Sequence, residues 1–247
     1  MRVANRVLDG NEAAVTEARR VPVPDDDLVL WLCSLAIPTH ALTEYDSFLS
    51  TQERARAAQF GTQSLRQRYI AGRGWLRLLM GQHLGVAPSS VPIVRGFRGR
   101  PILESRESRL DFNVSHTRGK ALIAFLRVPD ATTRIGIDIE HEDRDVGADR
   151  LARRYLSQRE REVFFAMHAD ARRKHFIRLW TVKEAMSKAT GEGLSAPMGR
   201  LDIDLAAGPR LMSGPPPYEP GAWRLLDVPL PDSFVATAAR WNGQPPS

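Results

Sequence analysis

Cysteine is nearly absent from this chain of 247 residues, since Cys33 is the only one. A single cysteine excludes an intrachain disulfide and any metal site built from several cysteines. Long apolar runs are also lacking, because the longest, Leu28 to Ile37, is far too short to cross a bilayer. The first nine residues, Met1 to Asp9, lack the apolar segment of a signal peptide. These absences predict a soluble protein of the cytoplasm that has no contact with a membrane.

Lysine is scarce beside arginine, with four lysines among 35 basic residues. Lysine is a compact point charge and arginine a planar fork, so the few lysines are candidates for positions that need a point charge. Two of them, Lys183 and Lys188, lie close to Glu184. The net charge of +6 is uneven, because residues 54–120 hold 13 basic and three acidic side chains. This stretch favours a phosphate-rich or acidic partner, and a solvated arginine-rich surface is the alternative.

One pattern of predicted elements occurs twice, at an offset of 107 residues. Ser50 with a glutamate three residues later is a capping box that begins a helix, and Ser157 with Glu160 repeats it. We therefore predict an α+β fold of two similar αβ subdomains related by a pseudo-two-fold axis, each a small, mostly antiparallel sheet packed with helices. The cleft between them is a natural ligand site. The subdomains are residues 1–128 and 135–247, and the linker is about 129–134.

Apolar periodicity places the individual elements. The predicted strands are residues 28–36, 110–115, 120–128, 135–140, 222–227 and 233–241. The predicted helices are residues 50–60, 67–84 and 175–190, with a further helix that begins at Ser157.

Residues 135–140 alternate strictly between apolar and other residue types. In a strand this alternation points the three isoleucines into the core and projects Asp138 and Glu140 together from the opposite face. Two carboxylates so placed suit Mg²⁺, which binds carboxylates together with substrate phosphates. The alternative is an amphipathic strand with a solvated face.

Trp180, Glu184 and Lys188 are spaced four residues apart and share one face of a predicted helix. An indole on this face indicates that the carboxylate and the ammonium are at least half buried, which is typical of functional sites. An ordinary ion pair on a surface helix is the alternative.

Ser115 and His116 end a predicted strand. Adjacent side chains on a strand point apart, so a nucleophile and base pair of a Ser-His acyltransferase is disfavoured. The two residues are better interpreted as hydrogen-bond donors to an anion, or as a turn with an exposed histidine.

The ordered set of motifs resembles the 4′-phosphopantetheinyl transferases. The motifs are Gly99-Arg100-Pro101, Phe112-Asn113-Val114-Ser115-His116, Ile135-Gly136-Ile137-Asp138-Ile139-Glu140 and Trp180-x-x-Lys183-Glu184-Ala185-x-x-Lys188. The length and the duplication resemble the larger, monomeric Sfp-type branch. The resemblance implies an enzyme that transfers the 4′-phosphopantetheine arm of coenzyme A to a serine of an apo acyl or peptidyl carrier protein and releases adenosine 3′,5′-bisphosphate.

The resemblance also implies roles for the acidic and lysine residues. Asp138, Glu140 and Glu184 would hold Mg²⁺ or Mn²⁺ at the pyrophosphate of coenzyme A. Lys188 would neutralise the departing bisphosphate, and Lys183 would add a second charge at the pyrophosphate. Glu184 or a water on the metal would deprotonate the serine. Glu160 matches another acidic position of the family, although its capping box explains it structurally.

The coenzyme A contacts are implied in the same way. His116, Ser115 and Arg68 resemble ligands of the 3′-phosphate, with Arg56 as a further contact, and Arg100 and Pro101 lie on the adenine side. Arg100 stands where the family often has lysine, and Glu53 stands where it often has a basic residue. The expected state is a monomer, because the duplication supplies internally the interface that half-length relatives obtain from a neighbour.

Two other functions fit part of the sequence. A nucleic-acid-binding protein would explain the basic stretch but not the three carboxylates, and the aromatic content of 7% is low for it. A non-catalytic protein that binds coenzyme A or a carrier would retain the fold without the reaction. We therefore expect no nucleic acid among the partners.

Overall fold

The structure is a computed structural model that describes residues 18–104, 109–130 and 132–243. The absence of a signal peptide, predicted from residues 1–9, lies outside these ranges. The first half contains β1 (Ala18–Val21), β2 (Leu28–Ser34), α1 (Thr39–Phe48), α2 (Thr51–Ala58), α3 (Gln63–Leu84), β3 (Ile93–Arg95), β4 (Pro101–Leu103), β5 (Leu110–Thr117) and β6 (Lys120–Arg127). The second half contains β7 (Thr133–His141), α4 (Ala148–Tyr155), α5 (Gln158–Ala166), α6 (Ala169–Thr190), β8 (Asp202–Asp204), β9 (Arg210–Ser213), β10 (Trp223–Asp227) and β11 (Phe234–Asn242).

From β2 and from β7 onwards, the two halves repeat one order of elements: a strand, three helices, a short hairpin and two strands; β1 is an additional strand of the first half. The main sheets also correspond, since their strand orders are β1-β2-β6-β5 and, read from its other edge, β7-β11-β10. Their strands pair antiparallel throughout. The predicted α+β fold of two similar subdomains is therefore confirmed. The interval from the end of β6 at Arg127 to the start of β7 at Thr133 overlaps the predicted linker of about 129–134, and the subdomain boundaries stay a prediction.

Both predicted capping boxes form. The hydroxyls of Ser50 and Ser157 accept from the N–H of the glutamate three residues later, and that glutamate accepts from the serine N–H. The long helices α3 and α6 each contain 22 residues. Each ends at a left-handed residue, Gly85 or Gly191, whose φ of 70° or 79° suits glycine. The repeat in the sequence thus corresponds to equivalent helix starts and equivalent helix ends in the two halves.

Several elements differ from the prediction. Helices α3 and α6 begin four and six residues earlier than predicted, at Gln63 and Ala169, because their first turns are polar and carry no apolar period. Helices α1 and α4 were not predicted, since they bury only two residues and one residue respectively and no side chain caps their first turns. The hairpins β3–β4 and β8–β9 consist of strands of three or four residues, too short for a recognisable alternation.

The face of β7 that carries Ile135, Ile137 and Ile139 is fully buried, as predicted. These isoleucines share one hydrophobic cluster with side chains of β2 and β6, such as Leu30 and Leu122. The cluster therefore joins the two halves through a common core. The opposite face of β7 packs against α6, and this brings the motif residues of the strand and the helix together.

Side chains of β5 connect the first sheet to β7. Asp111 Oδ2, Asn113 Oδ1 and Ser115 Oγ accept from the backbone N–H groups of the three β7 isoleucines at 2.7, 3.2 and 3.4 Å. Each bond joins residues 24 positions apart, so the ladder runs in constant register. We call this ladder of side-chain acceptors the β5–β7 joint. None of the helices that the structure describes is both long and apolar enough to cross a bilayer.

Candidate active site

A pocket of about 620 Å³ opens between the two halves, a size typical of small-molecule sites. The first half contributes side chains of α3, of β5 and of the turn after β5, and the second half contributes the end of α6. Its lining includes six basic residues, whereas no carboxylate among the described residues lines it. The pocket therefore suits a ligand with several negative charges. The basic lining residues are Arg68, Arg73, Arg98, Arg100, Arg118 and Lys188.

His116 lies on the pocket wall near the end of β5. Its ring packs so close to Gly72 that a Cβ atom there would lie 3.0 Å from Nε2. The surrounding protein desolvates the ring and, with the charges of Lys188 and Arg73, lowers the imidazole pKa to about 4. At neutral pH the imidazole is therefore uncharged, and it can donate one hydrogen bond while neighbouring cations supply the charge.

Lys188 connects the pocket to the predicted metal ligands. It lines the pocket from the last turn of α6, and its Nζ donates to Asp138 Oδ1 at 2.7 Å and to Ser115 Oγ at 2.8 Å. The Ser115 hydroxyl in turn donates to Asp138 Oδ1 at 2.8 Å. The structure thus places Ser115 in the β5–β7 joint, on the side of β5 away from His116, as strand alternation predicts.

Asp138 and Glu140 project together from β7, but the face is buried rather than solvated, because α6 covers it. Asp138 Oδ2 is buried and no described residue donates to it. Glu140 Oε2 accepts from the Thr117 hydroxyl at 3.1 Å, and Glu140 Oε1 contacts the guanidinium of Arg144. The two carboxylates therefore differ in how many of their oxygens the chain itself occupies.

Glu184 lies on α6, one helical turn before Lys188. Burial raises the pKa of its carboxyl, and the like charge of Asp138 raises it further, against the opposing effect of Lys188 and Arg144. No hydrogen bond to this carboxylate is formed by the residues that the structure describes. Glu184 is thus a partly buried carboxylate of increased basicity next to Asp138.

These three carboxylates fit a divalent cation by their chemistry. They are hard oxygen donors, Asp138 Oδ2 has no partner within the described ranges, and a cation would relieve the repulsion between Asp138 and Glu184. In the described part of the chain, no group of three or more acidic, histidine or cysteine side chains is arranged closely enough to hold a metal. The basic side chains of Lys188 and Arg144 contact Asp138 and Glu140 instead. The metal-ligand role of the three carboxylates stays a prediction.

Arg100 lines the pocket, but its guanidinium points into the protein and its side chain is only 10% exposed. One terminal nitrogen donates to Asp111 Oδ2 at 2.7 Å and to Ile135 O at 2.8 Å, and the other contacts the backbone carbonyl of Lys188. Arg100 therefore fastens β5, β7 and the end of α6 to one another. Pro101, the next residue of the motif, also lines the pocket.

Glu160 and Lys183 lie away from the pocket, inside the second half. Lys183 is fully buried, and its Nζ donates to Glu160 Oε2 at 2.5 Å and to the carbonyls of Met198 and Leu201, both at 2.8 Å. Glu160 also accepts from the N–H of Ile203 at 2.8 Å. The structure therefore brings neither residue to the site, in contrast to the predicted contact of Lys183 with the pyrophosphate and the predicted catalytic Glu160.

The first half contains the same pair of a capping glutamate and a buried basic residue, and this repetition indicates that the pair is structural. Arg77 is buried on α3, donates to Glu53 Oε2 at 2.6 Å and donates to the carbonyls of Pro88 and Val91. Glu53 and Glu160 hold the equivalent place in the two capping boxes, so a capping glutamate binds a buried cation of the long helix in both halves. Lys183 is thus the structural counterpart of Arg77, and Glu53 is committed to this pair rather than to a phosphate.

Of the two remaining residues predicted to contact coenzyme A, one lines the pocket and the other does not. Arg68 lines the pocket from α3. Arg56 does not; its guanidinium stacks over the ring of Phe60, which does line the pocket, and donates to Gln59. The structure adds three basic lining residues that the motifs did not indicate, Arg73, Arg98 and Arg118. The arginine-rich stretch signalled that such residues exist, but it did not single out which of them face the pocket.

Asn113 and Arg144 are the other residues that the analysis of the sequence missed. Asn113 belongs to a motif but was given no role, although its alternation with Ser115 along the strand indicates a shared face. Arg144 carries the signal of a basic residue four positions after an acidic one, which is common and therefore weak evidence.

A cation-lined pocket that meets buried carboxylates at the junction of two similar halves defines an enzyme for a polyanionic small molecule. Comparison with known proteins identifies the family. Residues 38–125 match the family described as "4′-phosphopantetheinyl transferase, N-terminal", and residues 134–239 match the "4′-phosphopantetheinyl transferase superfamily". The 4′-phosphopantetheinyl transferase HetI of Nostoc is 37% identical over 220 residues, which are 87% of each chain. The transferase Sfp of Bacillus subtilis is 26% identical over 64% of this chain and 67% of its own.

The chain belongs to the 4′-phosphopantetheinyl transferase family. This confirms the predicted enzyme class and the predicted reaction, in which the phosphopantetheine arm of coenzyme A is transferred to a carrier protein. The comparisons give no support to a nucleic-acid-binding protein or to a non-catalytic relative.

Proposed function

We propose that the pocket binds coenzyme A and that the adjoining carboxylates promote attack of a carrier serine on its pyrophosphate. The position of Lys188 is the observation that carries this proposal, because its side chain both lines the pocket and contacts Asp138. A pyrophosphate in the pocket would therefore lie next to the carboxylates. Phosphoryl transfer depends mainly on such positioning and on neutralisation of charge.

The basic residues and His116 bind the anionic groups in this proposal. Arg68 and the neutral His116 hold the 3′-phosphate, with Arg73 as the additional cation beside them. Pro101 contacts the adenine side. Arg100, Ser115, Arg56, Lys183 and Glu160 receive no contact with coenzyme A in this proposal, because their polar groups bind other parts of the protein or lie outside the pocket.

The transfer step replaces the pyrophosphate linkage of coenzyme A by a bond to the carrier serine. The serine oxygen bonds to the β-phosphorus, the bond from that phosphorus to the bridging oxygen breaks, and adenosine 3′,5′-bisphosphate leaves with the electron pair. Glu184 accepts the serine proton as the general base. Lys188 neutralises the charge that develops on the leaving phosphate. Mg²⁺ or Mn²⁺, held by Asp138, Glu140 and Glu184, would supply further neutralisation of the pyrophosphate.

Three finer properties belong to this proposal. The carrier is an apo acyl or peptidyl carrier protein, whose acidic surface would be attracted by the basic first half. The protein acts as a monomer, because each half supplies residues to the same pocket. The cytoplasmic location stays a prediction.

Intact-protein mass spectrometry tests the proposal. An apo carrier protein incubated with this chain, coenzyme A and Mg²⁺ should gain the mass of one phosphopantetheine arm, and the gain should stop when EDTA is added. Glu184→Gln and Asp138→Asn should each slow transfer by at least about a hundredfold, as removal of a general base or a charge-stabilising group does. Glu162→Gln is the matched control, because Glu162 is exposed on α5 and, among the residues that the structure describes, bonds only Gln158. Near-normal transfer by Glu184→Gln would contradict the assigned site.

A further inference from the structure

Arg144 lies in the turn that follows β7, where its N–H donates to the carbonyl of His141 at 3.0 Å. It stands four residues after Glu140, and its guanidinium contacts Glu140 Oε1. The Arg144 side chain is 50% exposed, whereas that of Glu140 is 10% exposed. The pair is thus a half-exposed cation placed over a buried carboxylate.

The three proposed metal ligands differ in how many of their carboxylate oxygens already have a partner. Asp138 keeps Oδ2 without a partner among the described residues, and Glu184 accepts no hydrogen bond from them. Glu140 has both oxygens engaged, one by the Thr117 hydroxyl and one by Arg144. A hydroxyl can remain on a metal-bound carboxylate, but a guanidinium on the same group would be repelled by a divalent cation. The contact with Arg144 is therefore the one that a divalent cation bound to Glu140 would weaken most.

We propose that Arg144 is a displaceable counter-ion of Glu140 that sets the affinity of the carboxylate cluster for a divalent cation. This inference rests on the proposed function, because it takes Glu140 as a metal ligand. With the metal absent, Arg144 neutralises the buried carboxylate; when the metal binds, Arg144 moves into solvent.

The exposure of Arg144 makes this exchange feasible. Water can solvate the guanidinium when it leaves Glu140, and the bound cation would then neutralise the buried carboxylate in its place. Lys188 differs, since its ammonium has two partners in the protein and lies less open to solvent. Arg144 also acts on a second carboxylate of the cluster, since its charge opposes the rise in the Glu184 pKa. Its departure would leave both carboxylates with more negative potential for the metal.

Binding of Mn²⁺ to the full chain without coenzyme A tests the inference, with electron paramagnetic resonance of the free ion as the readout. Arg144→Gln should tighten Mn²⁺ binding by about three- to tenfold, since an internal competitor is removed. Arg144→Lys retains the charge and should stay near the wild-type affinity. Arg178→Gln is the matched control: Arg178 is 40% exposed and pairs with Asp227 at 3.2 Å, so it removes one positive charge without contact to the carboxylates.

The outcomes separate this inference from the function on which it rests. If Glu184→Gln weakens Mn²⁺ binding but Arg144→Gln leaves it unchanged or weaker, the counter-ion role is overturned and the metal site stands. Equal tightening by Arg144→Gln and Arg178→Gln would assign the effect to net charge and also overturn the role. Failure of every variant and of the wild type to bind Mn²⁺ would overturn the inference and the proposed metal site together.

Discussion

The neutral imidazole of His116 makes the folded protein sensitive to acid. The unfolded chain binds a proton at the ordinary histidine pKa of about 6.5, whereas the folded chain does so only at about 4. Between these values the unfolded state binds more protons, so the contribution of His116 to stability is complete above pH 6.5 and falls as the pH falls towards 4.

His116→Gln should therefore lose less stability than the wild type when the pH drops from 7 to 5. Urea unfolding at both pH values measures this, and the change in midpoint is compared between the two proteins. His168→Gln is the control, because the His168 side chain is 84% exposed. An equal acid-induced loss in the wild type and in His116→Gln would show that the imidazole is not held neutral.

Residue by residue, the sequence predicted which side chains share a face better than which of them reach the pocket. Strand alternation placed Asp138 and Glu140 together and separated Ser115 from His116, and the structure agrees. Lys183 was predicted to contact the pyrophosphate together with Glu184 and Lys188, because a motif does not show which side of a helix faces the core. The missed signal was a repeated one, a capping glutamate with a basic residue 23 or 24 positions later in each half.

At the scale of elements, the contact between α6 and β7 has no spare room at Gly136. A Cβ atom there would lie 1.9 Å from the carbonyl oxygen of Ala185 and 2.5 Å from the backbone nitrogen of Ala189. Only glycine permits this approach, because the atoms it would strike belong to the helix backbone and not to a flexible side chain. The approach is what brings Glu184 and Lys188 of α6 over Asp138.

Gly136→Ala should push α6 away from β7 and destabilise the protein by about 1–3 kcal/mol, the usual effect of overpacking. Transfer activity should fall as well, because Lys188 and Asp138 would separate. Urea unfolding and the carrier assay measure the two effects. Gly61→Ala is the control, since a Cβ atom at Gly61 meets nothing within 4 Å. Unchanged stability of Gly136→Ala would mean that α6 shifts without resistance.

The helices that could be predicted either bury many residues or begin with a capping box, as α2 and α5 do although they bury one and two residues. Helices α3 and α6 bury ten and eleven residues and were found with late starts, whereas α4 buries one and was missed. A sequence records an element through the periodicity of its buried side chains. Helices α1 and α4 connect a strand to the next capping box and bury too few side chains for such a periodicity to be recognised.

At the scale of the whole molecule, the two halves are held together by a shared core and by the β5–β7 joint. The core combines β2 and β6 with β7 and β11. In the joint, the side-chain acceptors of β5 replace the carbonyl groups of a neighbouring strand, which satisfies the backbone of β7 without a continuous sheet. The duplication was visible in the sequence, but this connection was not, because a hydrogen bond from a side chain to a distant backbone has no periodic signature.

Asn113→Ala removes the central acceptor of the joint and leaves the buried N–H of Ile137 without a partner, which should destabilise the protein by about 1–3 kcal/mol. Because the hydrophobic core is shared, both halves should still unfold in one transition. Hydrogen exchange measured by mass spectrometry should show that β6 and β11 lose protection at one and the same denaturant concentration in the wild type. In the variant the two strands should again lose protection together, but at a lower denaturant concentration. Asn242 is exposed at the end of β11 and, within the described ranges, accepts only from Arg240, so Asn242→Ala should leave the denaturant concentrations of β6 and β11 unchanged.

Separate transitions for β6 and β11 in the wild type would mean that each half is stable alone. The pocket would then depend on how two independent halves are aligned. In that case the β5–β7 joint, and not the shared core, would determine their alignment.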